Sequence, residues 1–130
     1  MIAGTGSGCG KTTVALAVLR AMQRRKIPLA AFKCGPDYID PMFHKAVLGI
    51  PSRNLDLFFI SEREVRGQIV RSIPQNGLGV IEGVMGFYDG VSGTTDTASA
   101  AHLARETGTP AILVVRPKGQ SLSLAAMLSG

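Results

Sequence analysis

The 130-residue chain is predicted to fold as an α/β domain with a doubly wound, mostly parallel sheet. Short apolar runs alternate with amphipathic helical patterns, an order typical of strands joined by crossover helices. A glycine-rich segment joins the first apolar run to the first helical pattern, as in proteins that bind phosphate between a strand and a helix. The last run, residues 110–115, is apolar at nearly every position, as expected for a parallel strand covered on both faces.

The composition limits the classes of function. Hydrophobic residues make up 45% of the chain and charged residues 18%, which is too apolar for a disordered segment. No apolar run approaches the ~20 residues that span a bilayer, so we expect no membrane partner. The net charge of +5 favours anionic ligands, either nucleotides or polycarboxylates. Because the basic cluster at residues 20–26 has no interleaved aromatic residues, we expect no nucleic acid partner.

Four helices are predicted, each from an amphipathic pattern with a recognisable start or stop. The first ends at a proline, the second opens with Asp40-Pro41 as N-cap and first helical residue, and the third opens with a capping box. The fourth is capped by Asp96 or Thr97 and ends before a glycine. They span residues 12–25, 40–48, 61–73 and 97–107, and the apolar face of the third consists of Val65, Ile69, Val70 and Ile73.

Three core strands are predicted at residues 29–32, 78–81 and 110–115, and residues 49–59 are interpreted as irregular. Only three residues precede the glycine-rich segment, whereas strands usually have ~5–6 residues. A fifth helical pattern begins at Ser121 and stops with the chain. We therefore expect residues 1–130 to be part of a larger domain.

Residues 4–13, GTGSGCGKTT, have the features of a phosphate-binding loop. Glycines let successive backbone N–H groups approach phosphate oxygens, and the following helix adds its positive N-terminal end. Five residues separate Gly4 from Gly10, one more than in the pattern G-x-x-x-x-G-K-[ST]. The alternative is a glycine-rich turn without a ligand. The expected nucleotide contacts are Gly6, Gly8, Cys9, Gly10, Lys11, Thr12 and Thr13, with Lys11 on the β- and γ-phosphates and Thr12 on Mg²⁺.

Charged side chains follow two of the predicted strands. Lys33, Asp37 and Asp40 come after the strand at 29–32, and Glu82 and Asp89 come after the strand at 78–81. Because ligands bind beyond the carboxyl ends of strands in an open parallel sheet, we expect these residues beside the phosphate loop. Glu82 is predicted to supply a second magnesium contact, and Lys33 to neutralise charge on a transferring phosphoryl group. Asp37 and Asp40 are candidates for binding metal or substrate, although Asp40 has a helix cap as its alternative and Glu82 a solvated strand end.

The remaining candidates have weaker signals. Tyr38 and Phe87 are predicted either to wall a substrate pocket or to pack in the core. His44 and His102 are predicted to be structural, since no nucleophile accompanies either in the sequence. Cys9 is a tolerated small residue or, at a helix N-terminus, a reactive thiol. The two cysteines have neither zinc-ligand spacing nor the density of a disulfide framework, which indicates a reduced, cytoplasmic setting.

The chain resembles the N-terminal part of the cobyrinate a,c-diamide synthases, in the dethiobiotin-synthetase-like group of P-loop enzymes. The resemblance rests on four stretches: residues 2–13, residues 33–41 (KCGPDYIDP), residues 54–56 (NLD) and residues 82–90 (EGVMGFYDG). The whole group shares the phosphate loop, whereas the second and fourth stretches are much narrower in distribution. The resemblance extends over essentially all 130 residues.

The resemblance implies a ligase that uses ATP and Mg²⁺. Such enzymes phosphorylate the c and then the a carboxylate of a corrin ring, and ammonia from glutamine displaces the phosphate. The resemblance places residues 1–130 in the N-terminal ATP-binding synthetase domain, with the glutaminase domain C-terminal to them. A homodimer is left open.

The resemblance also assigns roles by position. Lys11 and Thr12 hold phosphate and Mg²⁺, and Glu82 with one of Asp37 or Asp40 completes the metal site. The residues expected to shape corrinoid binding and the order of amidation are Tyr38, Ile39 and Asp89. Arg116 is a departure, because an aspartate is expected there in relatives.

Several alternative functions share parts of this pattern. Close relatives of the family act on nickel sirohydrochlorin or hydrogenobyrinate. A partitioning or metallocentre-assembly ATPase usually has an extra lysine five residues before the lysine of Gly-Lys-Thr, where this chain has Gly6. Dethiobiotin synthase shares the loop and Lys33 but is not expected to have residues 36–41 or 83–90. A nucleotide-binding module without catalysis is the third alternative.

Overall fold

The computed structural model describes residues 1–37 and 39–129, in which five parallel strands form one sheet. The strands are β1 (Ile2–Gly4), β2 (Leu29–Cys34), β3 (Ser52–Leu55), β4 (Leu78–Glu82) and β5 (Ile112–Val114). Their order in the sheet is β3-β2-β4-β1-β5, and the pairings are parallel. The helices are α1 (Lys11–Arg24), α2 (Ile39–Leu48), α3 (Glu62–Ser72), α4 (Ala100–Thr107) and α5 (Leu122–Ser129). The predicted α/β class is confirmed.

Two hydrophobic clusters lie on opposite faces of the sheet, because successive side chains of a strand point to opposite sides. On β2, Phe32 packs in a cluster with residues of α3 and α4, whereas Ala31 packs in a cluster with residues of α1 and α2. On β4, Ile81 joins the first cluster and Val80 the second. The sheet is therefore covered by helices on both faces, as predicted for a doubly wound fold.

The third predicted helix is confirmed at its start and partly wrong along its face. Ser61 accepts a hydrogen bond from the Glu64 N–H, and the Glu64 carboxylate accepts one from the Ser61 N–H, which is the predicted capping box. Val65 is fully buried, but Val70 is 75% exposed. At about 100° per residue, Val70 lies roughly 140° around the helix from Val65, away from the sheet.

The polar ends of two strands were predicted as loop but belong to the sheet. β2 runs on to Cys34 and includes Lys33, and β4 includes Glu82. The apolar pattern in a sequence ends at the first charged residue. The hydrogen-bonded pairing between strands can continue past that residue when its charged side chain has a buried partner. The irregular assignment of residues 49–59 was also wrong in part, because β3 lies there as an edge strand of mostly polar residues.

The last two predicted boundaries also shift. The N-cap of α4 is Ser99, whose hydroxyl accepts a hydrogen bond from the His102 N–H, and not Asp96 or Thr97. Gly108 ends α4 with a left-handed backbone, φ 61°, as predicted. The strand at 110–115 is shorter in the structure, and Ile112 is 61% exposed because β5 forms an edge of the sheet. In the described residues, no helix has both the length and the apolar composition needed to cross a membrane.

The contrast between Val65 and Val70 gives a direct test of this packing. Replacing Val65 with alanine is expected to lower the free energy of unfolding by roughly 1–3 kcal/mol, since it removes buried methyl groups. Val70→Ala, the matched control on the same helix, is expected to change it by less than about 0.5 kcal/mol. Urea denaturation of both variants measures the two values, and equal losses would contradict the described orientation of α3.

Candidate functional site

The glycine-rich loop between β1 and α1 folds back onto its own start. Gly8 and Gly10 adopt left-handed backbone angles, φ 72° and 104°, and Gly10 is the N-cap of α1. A Cβ on Gly4 would collide with Cys9 Sγ and lie 2.9 Å from Lys11 Cγ. The close approach of Cys9 and Lys11 therefore requires a glycine at position 4.

Lys11 lies across this loop. Its side chain is buried, and its Nζ donates a hydrogen bond to the carbonyl oxygen of Gly6 at 2.7 Å. Cys9 Sγ lies 3.9 Å from the same Nζ. The ammonium is therefore held against the loop, next to the N-terminus of α1.

The predicted loops meet at one cavity of about 340 Å³ beyond the carboxyl ends of β1, β2 and β4. Besides residues of the phosphate loop and the start of α1, its lining includes Val84 and Met85. The charged and hydroxyl side chains that line it are Lys11, Thr12, Lys33, Asp37, Asp40 and Glu82, together with Ser7. Lys33, Asp37, Asp40 and Glu82 therefore lie beside the phosphate loop as expected, whereas Asp89 does not line this cavity.

Strand alternation explains why two charged residues reach this cavity. Lys33 is two residues beyond Ala31, and Glu82 is two residues beyond Val80, so both point to the face covered by α1 and α2. The two residues are also direct partners in the pairing of β2 with β4. Lys33 Nζ lies 3.3 Å from Glu82 Oε1, and their side chains are only 3% and 1% exposed.

Lys33 is surrounded by oxygen atoms. Its ammonium contacts Asp40 Oδ2 at 2.5 Å and Asp37 Oδ2 at 3.7 Å, and it donates a hydrogen bond to the Gly83 carbonyl oxygen at 2.9 Å. Burial alone would lower the pKa of Lys33, but the hydrogen bonds and charges of Asp40 and Glu82 raise it. Lys33 is therefore a permanent cation that holds three carboxylates together.

The Glu82 carboxylate has a partner on each oxygen. Oε1 accepts a hydrogen bond from Thr12 Oγ1 at 2.5 Å and also faces Lys33, while Oε2 lies 3.1 Å from His44 Nε2. Burial would raise the pKa of Glu82, but the hydrogen bonds from His44 and Thr12 and the charge of Lys33 lower it to about 2. The solvated strand end considered for Glu82 is therefore wrong, because this carboxylate is buried and ionised.

Asp37 and Asp40 both line the cavity, and the hydrogen bond to the start of α2 is made by Asp37. Asp37 Oδ1 accepts a hydrogen bond from the Ile39 N–H at 2.9 Å and therefore caps α2. Asp40 lies inside the helix and points to Lys33, so the helix cap considered for it is wrong. Burial and the nearby Glu82 charge raise the pKa of Asp40, although the bond from Lys33 opposes them. Asn54 fixes this segment by donating to the Gly35 and Asp37 carbonyl oxygens at 2.8 and 2.6 Å.

Sequence reasoning missed His44 as part of the site. Its ring is 1% exposed, with Nε2 on Glu82 and Nδ1 3.0 Å from Ser52 Oγ. The signal was its spacing: His44 follows Asp40 by four residues, so both project from the same face of α2. If Asp40 points to the sheet, His44 does as well.

Other predicted residues lie away from this cavity. Ile39 is 67% exposed, Thr13 is exposed on α1, and Tyr38 lies outside the described residues. Asp89 Oδ2 accepts a hydrogen bond from the Gly86 N–H at 2.7 Å. Asp89 also lines a second, mostly apolar cavity of about 410 Å³, which shares Val84 and Met85 with the first.

The remaining candidates are placed as follows. Phe87 packs at the edge of a hydrophobic cluster, as one of its two alternatives predicted. Arg116 Nη1 lies 3.5 Å from the Gly8 carbonyl oxygen, beside the phosphate loop. Cys34 is buried, which raises the pKa of its thiol to about 12 and keeps it protonated. The reactivity of Cys9 stays a prediction.

A surface group of potential metal ligands, formed by Glu62, His102 and Glu106, has another explanation. His102 Nδ1 accepts a hydrogen bond from the Ala98 N–H, so the proton of a neutral ring is on Nε2, the atom that faces Glu62. Arg66 pairs with both glutamates. These contacts describe surface ion pairs, and the structural role predicted for His102 agrees with them.

The oxygen atoms of the first cavity fit a hard divalent cation. Thr12, Asp37, Asp40 and Glu82 offer one hydroxyl and three carboxylates within a single cavity, and Mg²⁺ prefers oxygen ligands of these types. Thr12 Oγ1 and Glu82 Oε1 are already neighbours, and the positive N-terminus of α1 beside them would favour an anionic ligand. The arrangement is therefore suited to a phosphate group that carries a divalent cation.

The low pKa of Glu82 predicts a pH-dependent contribution to stability. Its folded pKa of about 2 lies below the ordinary value of 4.5, so its stabilisation is complete above pH 4.5 and is lost as the pH falls towards 2. We expect Glu82→Gln to be less stable than the wild type at pH 6 and the difference to shrink as the pH falls to 3. Urea denaturation at both pH values tests this, and a difference independent of pH would contradict it.

Comparison with known proteins agrees with this geometry. A family model described as the CobQ/CobB/MinD/ParA nucleotide binding domain matches residues 1–52, which include the phosphate loop, Lys33, Asp37 and Asp40. Cobyrinate a,c-diamide synthases from Salmonella typhimurium and Thermoplasma volcanium are 45% and 46% identical over 130 residues, and one from Clostridium acetobutylicum is 48% identical over 131 residues.

Each of these alignments covers the whole chain but only 28–29% of the relative. The chain therefore spans less than a third of the length of the curated relatives it matches, and it corresponds to their N-terminal part. The resemblance inferred from the four sequence stretches is confirmed: the whole chain is similar to the N-terminal part of cobyrinate a,c-diamide synthases, and its first 52 residues match the nucleotide-binding domain model.

Proposed function

We propose that this chain forms the nucleotide- and metal-binding part of an ATP- and Mg²⁺-dependent ligase in cobalamin biosynthesis. The reaction is the glutamine-dependent amidation of the a and c carboxylates of cobyrinate through acyl phosphates. The observation that carries the proposal is the single cavity in which a phosphate loop, two buried lysines and three carboxylates meet. The similarity of the whole chain to cobyrinate a,c-diamide synthases supports the choice of substrate.

In this proposal the phosphate loop binds the triphosphate of ATP. Backbone N–H groups of the loop and the N-terminus of α1 would bind the phosphate oxygens, and Lys11, which now donates to the Gly6 carbonyl oxygen, would bind the β- and γ-phosphates. The contacts proposed for the nucleotide are Gly6, Gly8, Cys9, Gly10, Lys11, Thr12 and Thr13. Thr13 is the weakest of these, because its side chain is exposed on α1.

Mg²⁺ is proposed to be held by Thr12 and Glu82, with Asp40 or Asp37 as a further ligand. When bound, the ion would neutralise charge on the β- and γ-phosphate oxygens. Lys33 lies next to these carboxylates and balances their charge, and it is placed to stabilise negative charge on a phosphoryl group during transfer. Lys33, Asp37, Asp40 and Glu82 are therefore the proposed catalytic residues beside Lys11.

The second cavity is the proposed position of the tetrapyrrole substrate. It adjoins the nucleotide cavity along Val84 and Met85, and its lining is mostly apolar, which suits the body of a macrocycle. Asp89 lies in this cavity. Ile39, the first residue of α2, and Tyr38 are proposed to contact the same substrate. A substrate carboxylate at the shared wall would lie next to the γ-phosphate.

The chemistry requires no protein nucleophile. A carboxylate oxygen of the substrate attacks the γ-phosphorus, ADP leaves, and ammonia then attacks the acyl carbon and displaces phosphate. The chain supplies positioning and charge for the first step. We propose that ammonia comes from glutamine through a C-terminal glutaminase domain, since the relatives are more than three times as long as this chain.

The setting of the enzyme is part of the proposal. Cysteine usage favours a cytoplasmic enzyme, and the charge pattern favours neither a nucleic acid nor a membrane partner. A homodimer is left open.

ADP release in the longer protein proposed to contain this chain tests the function. With MgATP and glutamine or ammonia, we expect ADP to form only when cobyrinate is present, and mass spectrometry to find its diamide. An amide product from nickel sirohydrochlorin instead would identify a different tetrapyrrole as the substrate of the same amidation reaction. ADP release without any tetrapyrrole, and no amide, would contradict the ligase and favour a nucleotide-switch ATPase.

The variant Lys11→Ala tests the assignment of the phosphate loop in the same assay of ADP release. Removing the ammonium that faces the phosphates is expected to lower ADP release by about 10²-fold or more, since one preorganised charge in such a site contributes that much. Lys45→Ala, which removes an exposed lysine of α2, is the control and should leave the rate unchanged. Full turnover in Lys11→Ala would contradict the assignment of the phosphate loop.

A further inference from the structure

We propose that His44 is a positioning residue that turns the Glu82 carboxylate towards Thr12 and the divalent cation. This inference deepens the proposed function, because it rests on the magnesium site proposed there. It concerns a residue that neither the phosphate-loop motif nor the charged stretches 33–41 and 82–90 include.

The two carboxylate oxygens of Glu82 contact different groups. Oε1 faces Thr12 and Lys33 on the nucleotide side, and Oε2 faces His44 on the side of β3. A carboxylate whose plane turned out of this orientation would weaken both sets of contacts. His44 is the hydrogen-bond partner of Oε2, so it helps to hold the plane of the carboxylate in the orientation that directs Oε1 to Thr12.

The partners of His44 determine which nitrogen of its imidazole ring carries a proton. Glu82 accepts from the Thr12 hydroxyl and the Lys33 ammonium, which favours its ionised form, and an ionised carboxylate has no proton to donate. His44 Nε2 must therefore carry a proton and donate it. In the neutral ring Nδ1 then accepts from the Ser52 hydroxyl, which lies 3.0 Å away.

The ring of His44 is buried and is held by contacts with two different strands. His44 is 1% exposed and lies on α2, while Ser52 is the first residue of β3. The ring is thus held from the edge strand on one side and from β4 on the other. In metal sites, such partners of a ligand fix its orientation, and their loss typically costs about 10–100-fold in metal affinity.

Two amide variants separate positioning from packing. The amide nitrogen of glutamine reaches about as far as Nε2 of histidine, so His44→Gln keeps a donor for Glu82. The shorter side chain in His44→Asn reaches only the Nδ1 position beside Ser52. Both variants bury one amide in the same space, so they are matched in polarity and differ mainly in the bond to Glu82.

The readout is metal affinity rather than turnover. Free Mn²⁺ is counted by electron paramagnetic resonance while the ion is titrated into the longer protein with ADP bound. Binding of ADP in the presence of a chelator is measured by calorimetry. We expect His44→Asn to raise the Kd for Mn²⁺ by about tenfold or more. His44→Gln should stay within about threefold of wild type, and ADP affinity without metal should be unchanged in both.

Other outcomes would overturn the proposal. If the Kd values for Mn²⁺ are equal in both variants and wild type, the bond to Glu82 does not position the ligand. If metal-free ADP affinity falls together with metal affinity, or if Asn and Gln behave alike, His44 acts through packing. If neither His44→Asn nor His44→Gln folds, His44 is likewise assigned to packing. Wild-type Mn²⁺ binding without cobyrinate-dependent ADP release would contradict the proposed reaction and leave the role of His44 standing.

Discussion

The buried contact between Lys33 and Glu82 is the interaction on which the rest of the site depends. The two residues are direct partners on neighbouring strands, and both side chains are almost completely buried at the end of the sheet. A buried charge is tolerated only when it is paired and hydrogen-bonded, and removing one partner of such a pair costs on the order of 3–5 kcal/mol. Here each charge has further partners: Lys33 holds Asp37 and Asp40, and Glu82 holds Thr12 and His44.

This pair connects several of the segments that line the cavity. Thr12 belongs to the first turn of α1, Asp40 and His44 to α2, Lys33 to β2 and Glu82 to β4. Their side chains converge because two strands point every second residue to the face that α1 and α2 cover. The same alternation sends Phe32 and Ile81 to the opposite cluster. A functional site and a hydrophobic core are thus built from adjacent residues of the same strands.

Sequence reasoning predicted the parts of this arrangement that follow from local chemistry. The phosphate loop, the capping box at Ser61 and the glycine that ends α4 are each determined by residues within one or two turns. The convergence of Lys33 and Glu82 also followed, since parallel strands end at the same edge of a sheet.

The predictions that were wrong depend on contacts between residues that are far apart in the sequence. Lys33 and Glu82 were placed in loops, because a charged residue ends an apolar run even when a partner 49 residues away makes its burial favourable. His44 was taken as structural for the same reason, since its partner Glu82 is 38 residues away. β3 carries mostly polar residues and takes its place from pairing with β2, which no periodicity reports. Val70 was assigned to the buried face because hydrophobicity was weighed above helical angle.

The central claim is that the groups around Glu82 form the site for a nucleotide-bound divalent cation. A crystal structure of the protein with Mg²⁺ and a non-hydrolysable ATP analogue tests it most directly. We predict the triphosphate in the loop 4–13, the ion bound by Thr12 Oγ1 beside the Glu82 carboxylate, and Glu82 Oε2 still on His44. An ion held away from Glu82, or a triphosphate outside the loop, would contradict this account.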